Sequence, residues 1–161
     1  MKNLEKYLNE HLSGSGAALQ LLLVMGRKNP ADREIYDGLH QEILVNRRFL
    51  ERVMAGANFA RSRSMELAAR ATSRFVSWRF SKRGLEPGGL GLVEALEALE
   101  LGIHGQSLLW RTLMEMPPEG AQTKGDYAAL RERAERQKTV VERLRLEAVQ
   151  QAFCANGHNA P

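Results

Sequence analysis

Apolar residues recur along this chain at steps of three and four, and glycine or proline closes each run. That period lines side chains along one face of an α-helix, and no stretch alternates in the way a half-buried strand requires. The Asn-Gly pair Asn156-Gly157 lies in the C-terminal tail and not between β-branched runs, so it signals no hairpin. The pattern predicts an all-α fold, an up-down bundle of about five helices.

The first segment runs from about Leu4 to Gly26, with Leu4, Leu8, His11, Ser15, Ala18 and Leu22 on one face. Arg27-Lys28-Asn29-Pro30 closes it; Asn29 is placed to cap the next helix, and Pro30 suits a first turn because its missing N–H costs nothing there. The second segment, about Ala31 to Ala55, turns Ile35, Leu39, Ile43, Phe49, Leu50 and Val53 inward and stops at Gly56. The third, about Arg63 to Lys82, carries Leu67, Ala71, Phe75 and Trp78, and Leu85 to Gly89 breaks the chain after it. The fourth, about Leu90 to Glu115, has the stripe Leu92, Leu96, Leu99, Ile103 and Trp110 and ends at Pro117-Pro118. The fifth, about Thr123 to Phe153, faces inward with Tyr127, Leu130, Ala134, Val141, Leu144 and Ala148. Short connections favour antiparallel neighbours. Residues 1–154 read as one domain and 155–161 as a frayed, flexible tail.

A chain of 161 residues buries roughly 70% of its unfolded surface, enough for one core without disulfide or metal. Its single cysteine, Cys154, excludes an internal disulfide and points to a reducing compartment. The start shows no apolar signal region, and the stretch Ala17 to Met25 is too short to span a bilayer, so a cytoplasmic protein without membrane insertion is expected. Charge is uneven. Between Arg61 and Arg83 seven basic residues stand against Glu66 alone, so this window exceeds the chain's net +4.

The inward stripes also contain polar side chains. His11 lies between Leu8 and Ser15, Glu42 and Asn46 lie between Leu39 and Leu50, Glu100 borders the fourth stripe with Glu97 and His104 on its flank, and Gln137 falls between Ala134 and Val141. At about 1.5 Å rise per residue, antiparallel pairing brings His11 level with Asn46 and Glu100 level with Gln137. Leaving such groups buried and unpaired costs roughly 1–3 kcal/mol each, more for a carboxylate. Three readings follow: a satisfied network of His11, Glu42, Asn46, Glu100 and Gln137 that fixes helix register, a metal or small-molecule site, or a rotated helix phase that leaves some of them in water.

The order of two long helices, an intervening segment and two more long helices resembles the ferritin-like class, which implies a four-helix bundle with a crossover. In that class inward carboxylates and Glu-x-x-His pairs hold two irons. Here Glu42 is followed at the same step by Val45, Glu97 by Glu100 and Glu135 by Lys138; the nearest matches are Asp37-x-x-His40, Glu97-x-x-Glu100 and Glu100-x-x-x-His104. The complete di-iron motif is therefore not present. The stretches Tyr7 to Ser15 and Leu96 to Trp110 are also similar to an uncharacterised bacterial helical-bundle family, a resemblance that implies no activity.

Other patterns are weaker. His104 with Glu100 fits a base and its orienting carboxylate, or a surface i,i+4 pair. Gly14 and Gly16 follow no strand and precede no Gly-Lys-Ser, so they read as points of close helix contact and not as a phosphate loop. The expectation is a non-catalytic binding or interaction protein with a buried polar network. One alternative is binding of a divalent metal (iron, manganese or zinc) by His11, Glu42, Glu100 and His104. Another is nucleic-acid binding by the basic segment 63–83, with Arg63, Arg70, Arg74 and Lys82 on phosphates. Leu101 and Leu109, expected on the surface, suggest a homodimer.

Overall fold

The first helix, α1, spans Lys2–Lys28; a 3-10 turn at Pro30–Asp32 leads into α2, Arg33–Gly56. The third, α3, spans Leu90–Glu115, and α4 spans Lys124–Val149 before a π turn at Gln150–Cys154. This computed structural model describes residues 2–62, 84–118 and 124–154. Among the described residues these four are the long helices, and there is no strand. The expected helix over 63–82, the basic window it carries and the tail 155–161 lie outside the described residues. So, with them, does the expectation of nucleic-acid binding.

Local chemistry sets the ends. Pro30 opens the 3-10 turn, as anticipated, but Asn29 makes no side-chain cap. It is buried instead, and its Nδ2 donates to the carbonyls of Met25 (2.9 Å) and Leu85 (2.8 Å). The end of α2 is a Schellman closure. Phe59 N–H donates to Met54 O at 2.9 Å and Asn58 N–H to Ala55 O at 3.1 Å, with Asn58 in the left-handed region at φ 55°. Gly56 is thus the last helical residue, and Asn58 is the one that turns the chain. Before α3, Gly88 takes φ 83°, and a side-chain carbon on Gly89 would collide with the Gly84 carbonyl.

Tertiary bonds fix the directions. Arg47 meets Ser15 while Gly26 packs on Tyr36, so α1 and α2 are antiparallel. Ser107 meets Glu135 while Glu100 lies near Arg145, so α3 and α4 are antiparallel. His11 lies beside Gly105, and Lys28 bonds Glu86 just before α3, so α1 and α3 also run opposite ways. Consequently α2 and α3 run in the same direction, and the order is up, down, down, up. Both neighbouring pairs among the described residues, α1 with α2 and α3 with α4, pack antiparallel; the expected helix over 63–82, which would stand between α2 and α3, lies outside the described residues. The chain leaves the bundle at one end and re-enters at the other.

Two buried asparagines, Asn9 on α1 and Asn29 just after it, hold those two ends. Asn9 donates to Ala60 O at 3.0 Å and accepts from Ser62 N–H at 2.9 Å. Asn29, some five turns away, holds Leu85. The inward stripes expected on the fourth and fifth segments are buried throughout, and each such Leu contributes about 1.5–3 kcal/mol. Leu109, expected on the surface, is fully buried; Leu101 is exposed.

Candidate functional site

Among the described residues the apolar core falls into two blocks. One block gathers Leu19, Leu22, Ile43, Ile103, Ala134 and Val141 with the residues beyond them toward Met25, Tyr36 and Leu85. The other gathers Leu8, Leu12, Leu50, Leu109, Trp110 and Leu130 with Tyr127. Between them every helix places polar residues: Ser15 between Leu12 and Leu19, Asn46 between Ile43 and Leu50, Gln106 and Ser107 between Ile103 and Trp110, and Arg133 between Leu130 and Ala134. Side-chain bonds from α1 to α2, from α2 to α3 and α4, and from α3 to α4 join these positions, so they form one layer.

Asn46 lies at the centre of this layer, with 0% of its surface exposed. Its Nδ2 donates to Gln106 Oε1 on α3 at 3.2 Å, and its Oδ1 accepts from Arg133 Nη1 on α4 at 3.0 Å. On the α1 side, Arg47 Nη1 donates to Ser15 Oγ at 2.8 Å and to the Leu12 carbonyl, while Ser15 Oγ donates to that same carbonyl at 2.7 Å. Arg47 also lies 3.4 Å from Glu51. Between α3 and α4, Ser107 Oγ donates to Glu135 Oε1 at 2.6 Å, and Lys138 reaches Oε2 at 3.1 Å. Those two donors hold the Glu135 carboxyl below its ordinary range. One turn further along α4, Gln137 Nε2 donates to Glu42 Oε2 at 2.8 Å, while its own Oε1 is buried without a partner among the described residues.

The expected network is thus redrawn. Asn46 and Gln137 are buried as anticipated, and Glu42 meets Gln137 from an exposed position on α2. His11 and Glu100 make their contacts elsewhere. The His11 ring packs edge-on against Tyr7 at 4.6 Å, beside Gly105. Burial depresses its pKa, and the nearby Glu10 charge only partly opposes this. Glu100 is half-buried, 3.8 Å from Arg145, whose nearest carboxylate is Glu142 at 2.6 Å. His104 is exposed.

His11, Glu42, Glu100 and His104 are therefore not gathered into one site. Among the described residues no three His, Cys, Asp or Glu side chains are placed to hold a metal ion. Among the described residues nothing lies within 4 Å of a Cβ at Gly14, whereas at Gly16 the Arg47 guanidinium is 3.5 Å from where the Cβ would stand.

Periodicity missed Gln106, Arg47 and Arg133. Arg47 and Arg133 sit on the flanks of their helices and reach inward along their alkyl stems, so their Cα positions read as surface. Ser107 could have been found: it lies four residues after Ile103 and three before Trp110, on the stripe itself. A shallow groove of about 490 Å³ opens beside the layer, lined by Met114, Ala128, Arg131, Glu132, Glu135 and Arg136. Charges of both signs line it.

Among the described residues no helix is long and apolar enough to cross a membrane. No family model, curated protein or solved structure matches the chain.

Proposed function

We propose that this protein is a non-catalytic helical-bundle interaction protein of ferritin-like topology, whose central polar layer locks the register of two helical hairpins. The observation that carries this reading is the bonding of Asn46: fully buried, its oxygen and its amide nitrogen both engaged, one to α4 and the other to α3. A side chain so engaged has little left with which to hold a ligand or move a proton. What it does supply is a penalty for sliding. A shift of one helical turn, about 5.4 Å, would strand Asn46, Gln106 and Arg133 against leucines, and each orphaned group costs roughly 1–3 kcal/mol. Buried polar groups that specify register work in this way.

Two further features support the ferritin-like topology. The helices run up, down, down, up, and one long connection carries the chain between opposite ends of the bundle, an arrangement that ferritin-like folds share. The polar layer occupies the middle of the bundle, where those folds place their metal ligands. Here it is built from amides, hydroxyls and guanidinium groups, and cationic Arg133 and Arg47 disfavour a divalent cation beside them.

Metal loading tests the reading. Purified protein is incubated with Fe²⁺, Mn²⁺ or Zn²⁺, desalted and submitted to elemental analysis beside a His11→Ala variant. Sub-stoichiometric metal in both is the expected result. Stoichiometric metal that is lost in His11→Ala would overturn the proposal in favour of a metal-binding bundle.

A further inference from the structure

The outward face of α3 is the most apolar helix surface among the described residues. Leu90, Leu101 and Leu108 are 49%, 73% and 46% exposed. Their spacings of eleven and seven residues put all three on one line along the helix. Exposed leucines are common singly, but three in one row on a helix of this length make a strip of the kind that marks a contact surface.

The polar residues beside that strip identify what covers it. Glu97 and Arg111 lie on the same flank, seven residues to either side of His104, and all three are exposed. When two helices pack antiparallel, like flanks face each other, so a residue before the midpoint meets one an equal distance after it. About a midpoint at His104, Glu97 meets the partner's Arg111, and the reverse pair forms at the other end. Leu101, three residues before that point, comes within one residue's rise of the partner's Leu108, four residues after it. Parallel packing would place opposite flanks together and lose both ion pairs. On the other flank the exposed Ala98 carries little side chain and lets the two backbones approach. The face is self-complementary in shape and in charge, as a closed twofold contact requires.

We infer that two copies of this chain pair antiparallel through the outward face of α3, about a twofold axis near His104. The inference rests on the reading of the protein as an interaction bundle and names its partner as a second copy. Glu97 is available for this role, because its present neighbour Arg145 is 3.9 Å away and is held more closely by Glu142 at 2.6 Å. The strip is one helix wide and α3 is about 39 Å long at 1.5 Å per residue, so the buried area falls at the low end for specific pairs. The dimer should therefore dissociate on dilution.

Sedimentation velocity of the full chain between about 5 µM and about 500 µM tests this, since mass action moves such an equilibrium across that range. The expected result is a concentration-dependent dimer. Leu101→Glu abolishes it while helix content and melting midpoint stay unchanged. Glu97→Arg or Arg111→Glu alone weakens it about tenfold or more, and the two together restore it. In a Cys154→Ser background, His104→Cys oxidises to a disulfide-linked dimer, which fixes the orientation. A monomer at every concentration, or a dimer indifferent to Leu101→Glu, overturns the inference. So does a monomer in which Leu101→Cys resists alkylation, because the face is then covered by the chain's own residues 63–83. Metal uptake is read separately, so either proposal can fail while the other stands.

Discussion

Arg133 on α4 donates at 3.0 Å to the side-chain oxygen of Asn46 on α2, and Asn46 has no exposed surface. The two helices belong to different hairpins. Within each hairpin the backbones pack closely, whereas α2 and α4 stand further apart and are joined by long polar side chains. The layer therefore ties together the two halves of the bundle that backbone packing leaves most loosely connected.

Gln137 illustrates the cost of such ties. Its Nε2 is bonded to Glu42, but its Oε1 is buried without a partner among the described residues, a penalty of about 1–3 kcal/mol. Glu42 is exposed, so water replaces the amide if Gln137 is removed. Gln137→Met keeps the volume and removes the orphan oxygen. Urea unfolding should show a gain of about 1 kcal/mol. A loss of that size would mean that the oxygen has a bonding partner.

Tyr127 poses a similar problem in the other core block. Its ring stacks on Trp110 at 6.4 Å and meets Phe49 edge-on at 5.9 Å, while its hydroxyl is buried with no bonding partner among the described residues. Tyr127→Phe keeps both ring contacts and removes only the hydroxyl. The melting midpoint should rise, corresponding to about 1 kcal/mol. A fall would show that the hydroxyl is bonded.

Much of this was legible beforehand. The stripes of α3 and α4 came directly from three- and four-residue steps because those faces are continuous leucine, isoleucine, valine and alanine. The existence of a polar layer was legible too, since Asn46 and Gln137 interrupt otherwise apolar stripes. Its membership was not. His11 sits on the flank that faces α3, a small phase error that one sequence cannot correct. Arg47 and Arg133 enter from positions that period analysis assigns to solvent, because long alkyl stems detach the charged group from the Cα that carries it. The path of the chain was equally hidden: spacing alone does not reveal that Asn9 and Asn29 hold Ala60 and Leu85 at opposite ends of α1.

Acid should weaken the fold through His11. Burial lowers its folded-state pKa below the unfolded value of about 6.5. The unfolded chain therefore binds the proton first as pH falls. The contribution is complete above about pH 6.5 and is lost as pH drops through the depressed folded value. Unfolding free energy should decline as pH falls below about 6.5, and His11→Gln should flatten part of that slope. An unchanged slope in the variant would place the acid sensitivity elsewhere. At the alkaline end, burial raises the phenols of Tyr36 and Tyr127, so the unfolded chain ionises first and stability should fall above about pH 10.

The most direct test is the energetic coupling between Asn46 and Arg133. Unfolding free energies of the wild type, Asn46→Ala, Arg133→Ala and the double variant complete a cycle that isolates the interaction. If the layer holds the hairpins in register, each single change is costly and the double costs less than their sum, with a coupling of about 1–3 kcal/mol. Additivity to within about 0.3 kcal/mol would contradict the account, because the two side chains would then carry no shared structural role.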